Sequence, residues 1–305
     1  MQIINLLAEL IPCLSIGYLL ARFKPSLSQA IARPLIDFGI PISLMGLLLK
    51  SRLALPLLEA LAIALVAIGI VMTILNCIPI LKRYIPSQVL KLGSGFGNTG
   101  YFGIPVSLAL LPNQALIYSI GFDLGATLVI WSLGPLLISN NSRELKGKEY
   151  WRRLIKAFAN SPAIKGLIGA LLISSMPWRE QITTLLWIPS KIVIVLALVV
   201  VGMRLGWLKT STYSTIISQV RAIQTSLFVK LIGLPSLMFS ICFILRVPNI
   251  MREALVLQAA APTAISVLLI AQAQSQDDEK ATSLVIFSTI TALITIPIWA
   301  IILKF

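Results

Sequence analysis

The stretch Gly93 to Pro105, GSGFGNTGYFGIP, is the part of the chain most equipped for chemistry. It sets five glycines, the neighbouring amide and hydroxyl of Asn98 and Thr99, and Pro105 inside an otherwise apolar run. Glycine and proline weaken a helix and release backbone N–H and C=O groups. In hydrocarbon such groups are costly unless they face protein or a water-filled cavity. The stretch therefore predicts a broken helix beside a cavity. Asn98 and Thr99 would lie on the cavity wall, with Gly97, Gly100, Gly103 and Pro105 shaping the break. A second run, LQAAAPTAIS from Leu257 to Ser266, repeats the pattern with Gln258, Pro262 and Thr263. Two interrupted apolar runs in corresponding halves of a chain point to one binding site at the membrane midplane. The small residues also permit close helix packing, which accounts for part of the same pattern.

Ionisable groups inside apolar runs are expensive and mark function by default. Asp123, about nine residues into its run, is the deepest and the first candidate for a proton- or cation-linked site. A hydrogen bond to a neighbouring helix is its competing role. Asp37 is the second ion-coupling candidate, although it and Glu9 lie nearer the ends of their runs. Lys230 is expected near the cytoplasmic end of its run, where its ammonium would snorkel to the surface. Asp277, Asp278 and Glu279 read as a solvated helix start. Gly95 to Gly100 spells G-x-G-x-x-G, but a dinucleotide fold needs a strand before it and a βαβ unit around it, and neither is present. The chain has no histidine, which removes His-based triads and most zinc sites. Cys13, Cys77 and Cys242 are far apart in apolar runs and indicate no disulfide framework. No metal and no resident cofactor are expected.

These residues must be positioned by membrane helices. The chain is 57% hydrophobic and only 12% charged, against about a quarter charged in soluble domains. Its mean hydropathy is +0.93. Apolar runs near the length of a bilayer crossing recur at residues 3–21, 31–49, 57–80, 89–111, 115–138, 162–176, 184–203, 226–245, 254–274 and 281–303. The fold class read from them is an all-α polytopic membrane protein of about ten transmembrane helices. The polar, basic segment 139–161 divides it into a first five-helix repeat, residues 1–138, and a second, 162–305. An odd number of spans per half makes the second half enter the membrane from the opposite face, so a shared fold would be a 5+5 inverted repeat. Basic residues concentrate in loops after odd-numbered spans, from Arg22 and Lys24 to Arg143, Lys146, Lys148, Arg152 and Arg153. This places those loops in the cytoplasm and both termini outside, in the plasma membrane. The net charge of +14 is thus an orientation signal spread over short loops and no nucleic-acid footprint. The Asn140-Asn141-Ser142 glycosylation sequon falls in the same cytoplasmic segment. The first run carries Glu9 and is followed by Arg22 and Lys24, so it reads as a retained span rather than a cleaved signal.

Asn98-Thr99-Gly100 with Gly103-Ile104-Pro105, and Gln258 followed by Pro262-Thr263, resemble the auxin efflux carrier family, which includes bacterial malate-permease-like proteins. The likeness extends over nearly the whole chain. It implies that the fourth and ninth spans are broken and cross at their prolines, and that a scaffold and a transport domain move against each other. It also implies a site at the crossing, with Asn98, Pro105, Gln258 and Pro262 as matched positions. The short central linker departs from plant members and argues against regulation through a long cytoplasmic loop.

The expected function is a secondary carrier of small organic anions, carboxylates first, working by alternating access between the broken helices. Asn98, Thr99, Gln258 and Thr263 would bind the substrate. Broken helices offer positive N-terminal ends and free N–H groups to an anion. Coupling to H⁺ or Na⁺ through Asp123 or Asp37 is left open, as is uncoupled transport. The partners are the substrate anion and the lipid bilayer, and a homodimer is compatible with the sequence. The same architecture could carry a bile-acid-like sterol, an amino acid or a cation instead. A channel or a membrane enzyme is a remoter reading, since no nucleophile–base pair or intramembrane acidic cluster is present.

Overall fold

The computed structural model describes residues 2–23, 30–31, 34–51, 55–138, 152, 155–156, 159, 162–206 and 213–304. Most of segment 139–161 lies outside them. Fourteen α-helices order the described chain: α1 (Gln2–Phe23), α2 (Ile40–Ser51), α3 (Leu55–Cys77), α4 (Pro79–Tyr84), α5 (Gln88–Gly95), α6 (Ile104–Leu110), α7 (Leu116–Ile138), α8 (Pro162–Ser174), α9 (Arg179–Gly206), α10 (Tyr213–Phe228), α11 (Leu234–Ile244), α12 (Asn249–Ala259), α13 (Ile265–Ala273) and α14 (Asp278–Ile302). Among the described residues β pairing is confined to one isolated antiparallel bridge, Gly97 to Thr263. Five stretches among the described residues are long and apolar enough to cross a bilayer: Leu55–Cys77, Asn113–Ile138, Arg179–Val200, Ser218–Ile244 and Asp278–Ile302. The runs predicted at 89–111 and 254–274 are each divided into two short helices, α5 with α6 and α12 with α13, by the glycines and Pro262.

Among the described residues three π-turns, Leu35–Gly39, Thr99–Gly103 and Val229–Gly233, lead into α2, α6 and α11. Each ends in glycine and is followed by Ile-Pro or Leu-Pro: Gly39-Ile40-Pro41, Gly103-Ile104-Pro105 and Gly233-Leu234-Pro235. Proline has no N–H, and its ring collides with the carbonyl four residues back. Widening that turn to the π register gives the ring room. The freed carbonyls then need partners. That of Leu231, four residues before Pro235, accepts the indole N–H of Trp299 at 3.0 Å. All three turns carry residues singled out from the sequence: Asp37, Thr99 and Lys230.

The helices pack as two groups. In one, α1 lies along α9, and α2 packs on α8 and α9. In the other, α3 lies along α7, α10 packs on α14, α11 on α12, and α13 on both α7 and α14. A large buried cluster from Ala60 to Leu303 runs through the second group. With lipid on the outside, apolar burial gives little drive for association, so close contact is decisive. Gly17 of α1 and Gly202 of α9 show this. A Cβ on either would overlap a carbonyl oxygen of the other helix, that of Val199 or of Leu14.

Candidate functional site

The two breaks meet and satisfy each other. The Asn98 N–H donates to Pro262 O at 2.6 Å, and the Ala264 N–H donates to Phe96 O at 3.0 Å. The Asn98 carbonyl accepts from both Phe102 and Gly103, each at 3.0 Å, which closes the π-turn Thr99–Gly103 that leads into α6. Thr263 anchors the other strand: its hydroxyl donates to Gly93 O at 2.9 Å, and its N–H donates to Ser288 Oγ at 3.0 Å. Each bond removes a backbone group that hydrocarbon could not satisfy. Thr263→Val should leave the Gly93 carbonyl short of that donor and lower stability by about 1–3 kcal/mol. Thermal unfolding of the purified protein checks this, with Thr263→Ser expected to stay near wild type.

Beside the crossing lies a cavity of about 90 Å³. Asn98, Thr99, Gly100, Tyr101, Asp123 and Thr127 form its polar wall. Leu44 and Leu47 of α2 and Val200 of α9 face them from the other helix group. The cavity thus sits between the two groups. The Asp123 carboxylate is buried on α7 and accepts the Thr99 hydroxyl at 2.6 Å and, more weakly, the Thr127 hydroxyl at 3.4 Å. Gly100 is what lets it come so close: a Cβ there would stand 3.0 Å from Asp123 Oδ1. Among the described residues one polar group on the wall, the buried Tyr101 hydroxyl, has no hydrogen-bond partner, and the Asn98 amide lies on the same wall. The start of α13 adds Ile265 and Ser266 to the lining, and its N-cap, Ala264, offers no side-chain cap. First-turn N–H groups have no partner within their own helix and carry partial positive charge.

The residues read from the sequence therefore divide. Asn98, Thr99 and Asp123 converge on one cavity, with Gly97 and Gly100 beside them. Gln258 and Thr263 lie at the same crossing but off the cavity wall, both fully buried. Gln258 Nε2 donates to Ser107 Oγ at 3.1 Å, which also accepts from Ser119 at 2.9 Å. The Gln258 side-chain oxygen fills the space where Gly103 would carry a Cβ. Pro262 supplies its carbonyl to the crossing, and Pro105 lies in the first turn of α6 after the π-turn. Asp37 lies in the first π-turn, and its side chain is outside the described residues, as is that of Glu9.

Lys230 corrects the expectation of a snorkelling side chain. It is 0% exposed, and its ammonium donates to Ala259 O at 2.6 Å. The helix containing it begins at Tyr213, well ahead of residue 226, because the polar Ser218, Gln219 and Arg221 hide an amphipathic turn from an apolarity reading. Lys230 consequently falls near the middle of the apolar stretch Ser218–Ile244. Tyr101 and Thr127 were missed altogether. The signal for Tyr101 was its place between Gly100 and Gly103-Ile104-Pro105, where the π-turn aims it.

Comparison with known proteins bears on the family of the chain. Residues 2–300 match the membrane transport protein family. A protein of Methanothermobacter thermautotrophicus described as an uncharacterized transporter is 26% identical over 218 residues, covering 70% of this chain and 67% of its own length. With several apolar helices and a match along nearly its whole length, the chain belongs to the membrane transport protein family, that of the auxin efflux carriers, and is a multi-pass membrane transporter.

Proposed function

We propose that the chain is a secondary carrier of small organic anions, carboxylates first, which it binds in the cavity beside the crossing and moves by alternating access. The observation that carries this reading is the cavity wall itself. Among the described residues the buried Tyr101 hydroxyl has no hydrogen-bond partner, the Asn98 amide lines the wall beside it, and the uncapped start of α13 opens next to them. Donors left unpaired in a buried wall cost free energy until a ligand accepts from them. A helix N-terminus supplies the matching partial positive charge. A carboxylate meets both requirements. The two helix groups on either side of the cavity are the bodies whose relative movement would expose it to each face in turn. Gln258 and Thr263 serve by holding the crossing in shape.

Asp123 gives the reading its coupling. An ionised carboxylate and an anionic cargo on one wall repel, so cargo enters together with a proton on Asp123. A cation as cargo is the second reading, and the Asp123 carboxylate on the wall is the observation in its favour. We retain the 5+5 inverted repeat, residues 1–138 and 162–305 about the cytoplasmic segment 139–161, with both termini outside the plasma membrane. Support comes from the swapped pairing of α1 on α9 and α8 on α2, one helix from each half in each pair.

Uptake of labelled mono- and dicarboxylates into proteoliposomes tests the proposal. Asn98→Ala should reduce uptake about tenfold, as expected for losing a hydrogen bond of ~1.4 kcal/mol to a charged group. Tyr101→Phe should weaken apparent affinity in the same assay. Full uptake by both variants would overturn the assigned wall, and saturable uptake of cations alone would favour the second reading.

A further inference from the structure

Lys230 is the buried charge that the carrier reading leaves without a task. Its ammonium has three donors. Among the described residues it makes one hydrogen bond, to Ala259 O at 2.6 Å, and no carboxylate lies within ion-pair distance. The surroundings explain why a cation belongs there. Ala259 closes α12, and the chain then breaks through Ala260 to Ala264. The last carbonyls of a helix have no intrahelical partner and carry partial negative charge. At the membrane midplane there is no bulk water to satisfy them. Gly97 of the opposing break closes the site: a Cβ there would stand 3.1 Å from Lys230 Nζ and 3.3 Å from Ala261 O. The ammonium thus lies against the carbonyl end of one broken helix and the backbone of the other. The segment Gly97 to Gly100 has this ammonium at one end and the Asp123 carboxylate at the other.

Carbonyl ends of broken helices are where secondary carriers hold a coupling Na⁺. We propose that the Lys230 ammonium is a built-in occupant of a monovalent-cation site at the crossing, so that this carrier needs no Na⁺ or K⁺ there. The lysine stem delivers the charge from the third π-turn, which directs residue 230 inward. The arrangement is a fixed counter-charge that cannot leave, and it gives up metal-ion coupling at this position. A proton on Asp123 then remains as the coupling ion of the carrier reading. The inference rests on that reading only for this last consequence.

Thermal unfolding of the full-length protein in detergent tests the site without any cargo, so a failed transport assay and a failed cation assay are told apart. Unfolding is followed in NaCl, KCl and choline chloride at equal ionic strength. Wild type and Lys230→Arg should melt at the same temperature in all three salts. Lys230→Ser should melt lower in choline chloride and regain several degrees as Na⁺ or K⁺ is added, saturably, because a ligand of the folded state stabilises it by mass action. If Lys230→Ser cannot be purified, Lys230→Gln goes through the same salts with the same expectation. A saturable, ion-specific rise for wild type would overturn the proposal, and so would a variant that no monovalent cation restores.

Discussion

Asp123→Asn is expected to abolish uptake driven by a pH gradient while leaving exchange of labelled for unlabelled cargo measurable. The substitution keeps size and shape. The asparagine oxygen can still accept from Thr99, whose hydroxyl stands 2.6 Å from Asp123 Oδ1, so the π-turn after Asn98 keeps its anchor. What asparagine cannot do is gain or lose a proton. If cargo and proton enter together, the variant is locked in the state that tolerates an anion, and the cavity can cycle loaded but cannot draw on the gradient. Gradient-driven accumulation should fall to background, whereas counterflow should stay within a few-fold of wild type. Loss of both, with a thermal unfolding midpoint unchanged, would point instead to direct cargo contact by the carboxylate. Accumulation at the wild-type level would remove Asp123 from coupling. Asp123→Glu is the useful companion. Gly100 leaves only 3.0 Å between its absent Cβ and Oδ1, so the longer side chain must rearrange and should slow transport without uncoupling it.

The breaks were legible in the sequence because their chemistry is local. Five glycines with Asn98 and Thr99 in one apolar run, and Pro262 in another, leave backbone groups that only a cavity or a second broken helix can satisfy. The pairing of Asn98 with Pro262 and of Ala264 with Phe96 answers that demand. Which side chains face the cavity was not legible, because it depends on which side of each break a residue falls. Asn98 and Thr99 follow the first break and line the wall. Gln258 precedes the second, one residue from the end of α12, and points into the packing against Ser107. Lys230 was misplaced for a different reason. Apolarity marks the lipid-facing part of a helix, and the amphipathic turn after Tyr213 shifted the true start of the helix away from that signal. The three π-turns had a readable sign, glycine followed by Ile-Pro or Leu-Pro. Its meaning needed the physical link between a proline ring and the carbonyl four residues before it.

Gly202→Val should cost the carrier its folded state more readily than any change in the cavity. Gly202 and Gly17 are both buried where α1 and α9 cross, and neither has room for a single carbon. The obstructing atoms are carbonyl oxygens of Leu14 and Val199, held in place by the hydrogen bonding of their own helices. A flexible side chain could swing aside, but these oxygens cannot, so the two helices must separate along their length. Overpacking of a well-filled site costs typically about 1–3 kcal/mol. A backbone obstruction puts this site at the upper end, a fall of roughly 6–12 °C in Tm for a chain of this size. Gly69→Ala is the internal control, since nothing lies within 4 Å of a Cβ at that position of α3. Alanine also favours helix over glycine, so that variant should melt at or slightly above wild type. Equal melting of the two variants would show that the α1–α9 contact is not a stabilising one. The consequence for transport follows from Val200, two residues from Gly202 and part of the cavity wall. A crossing this close fixes one wall of the cavity as a rigid face. Loosening it should therefore lower transport in step with Tm, whereas Asn98→Ala should lower transport with Tm unchanged.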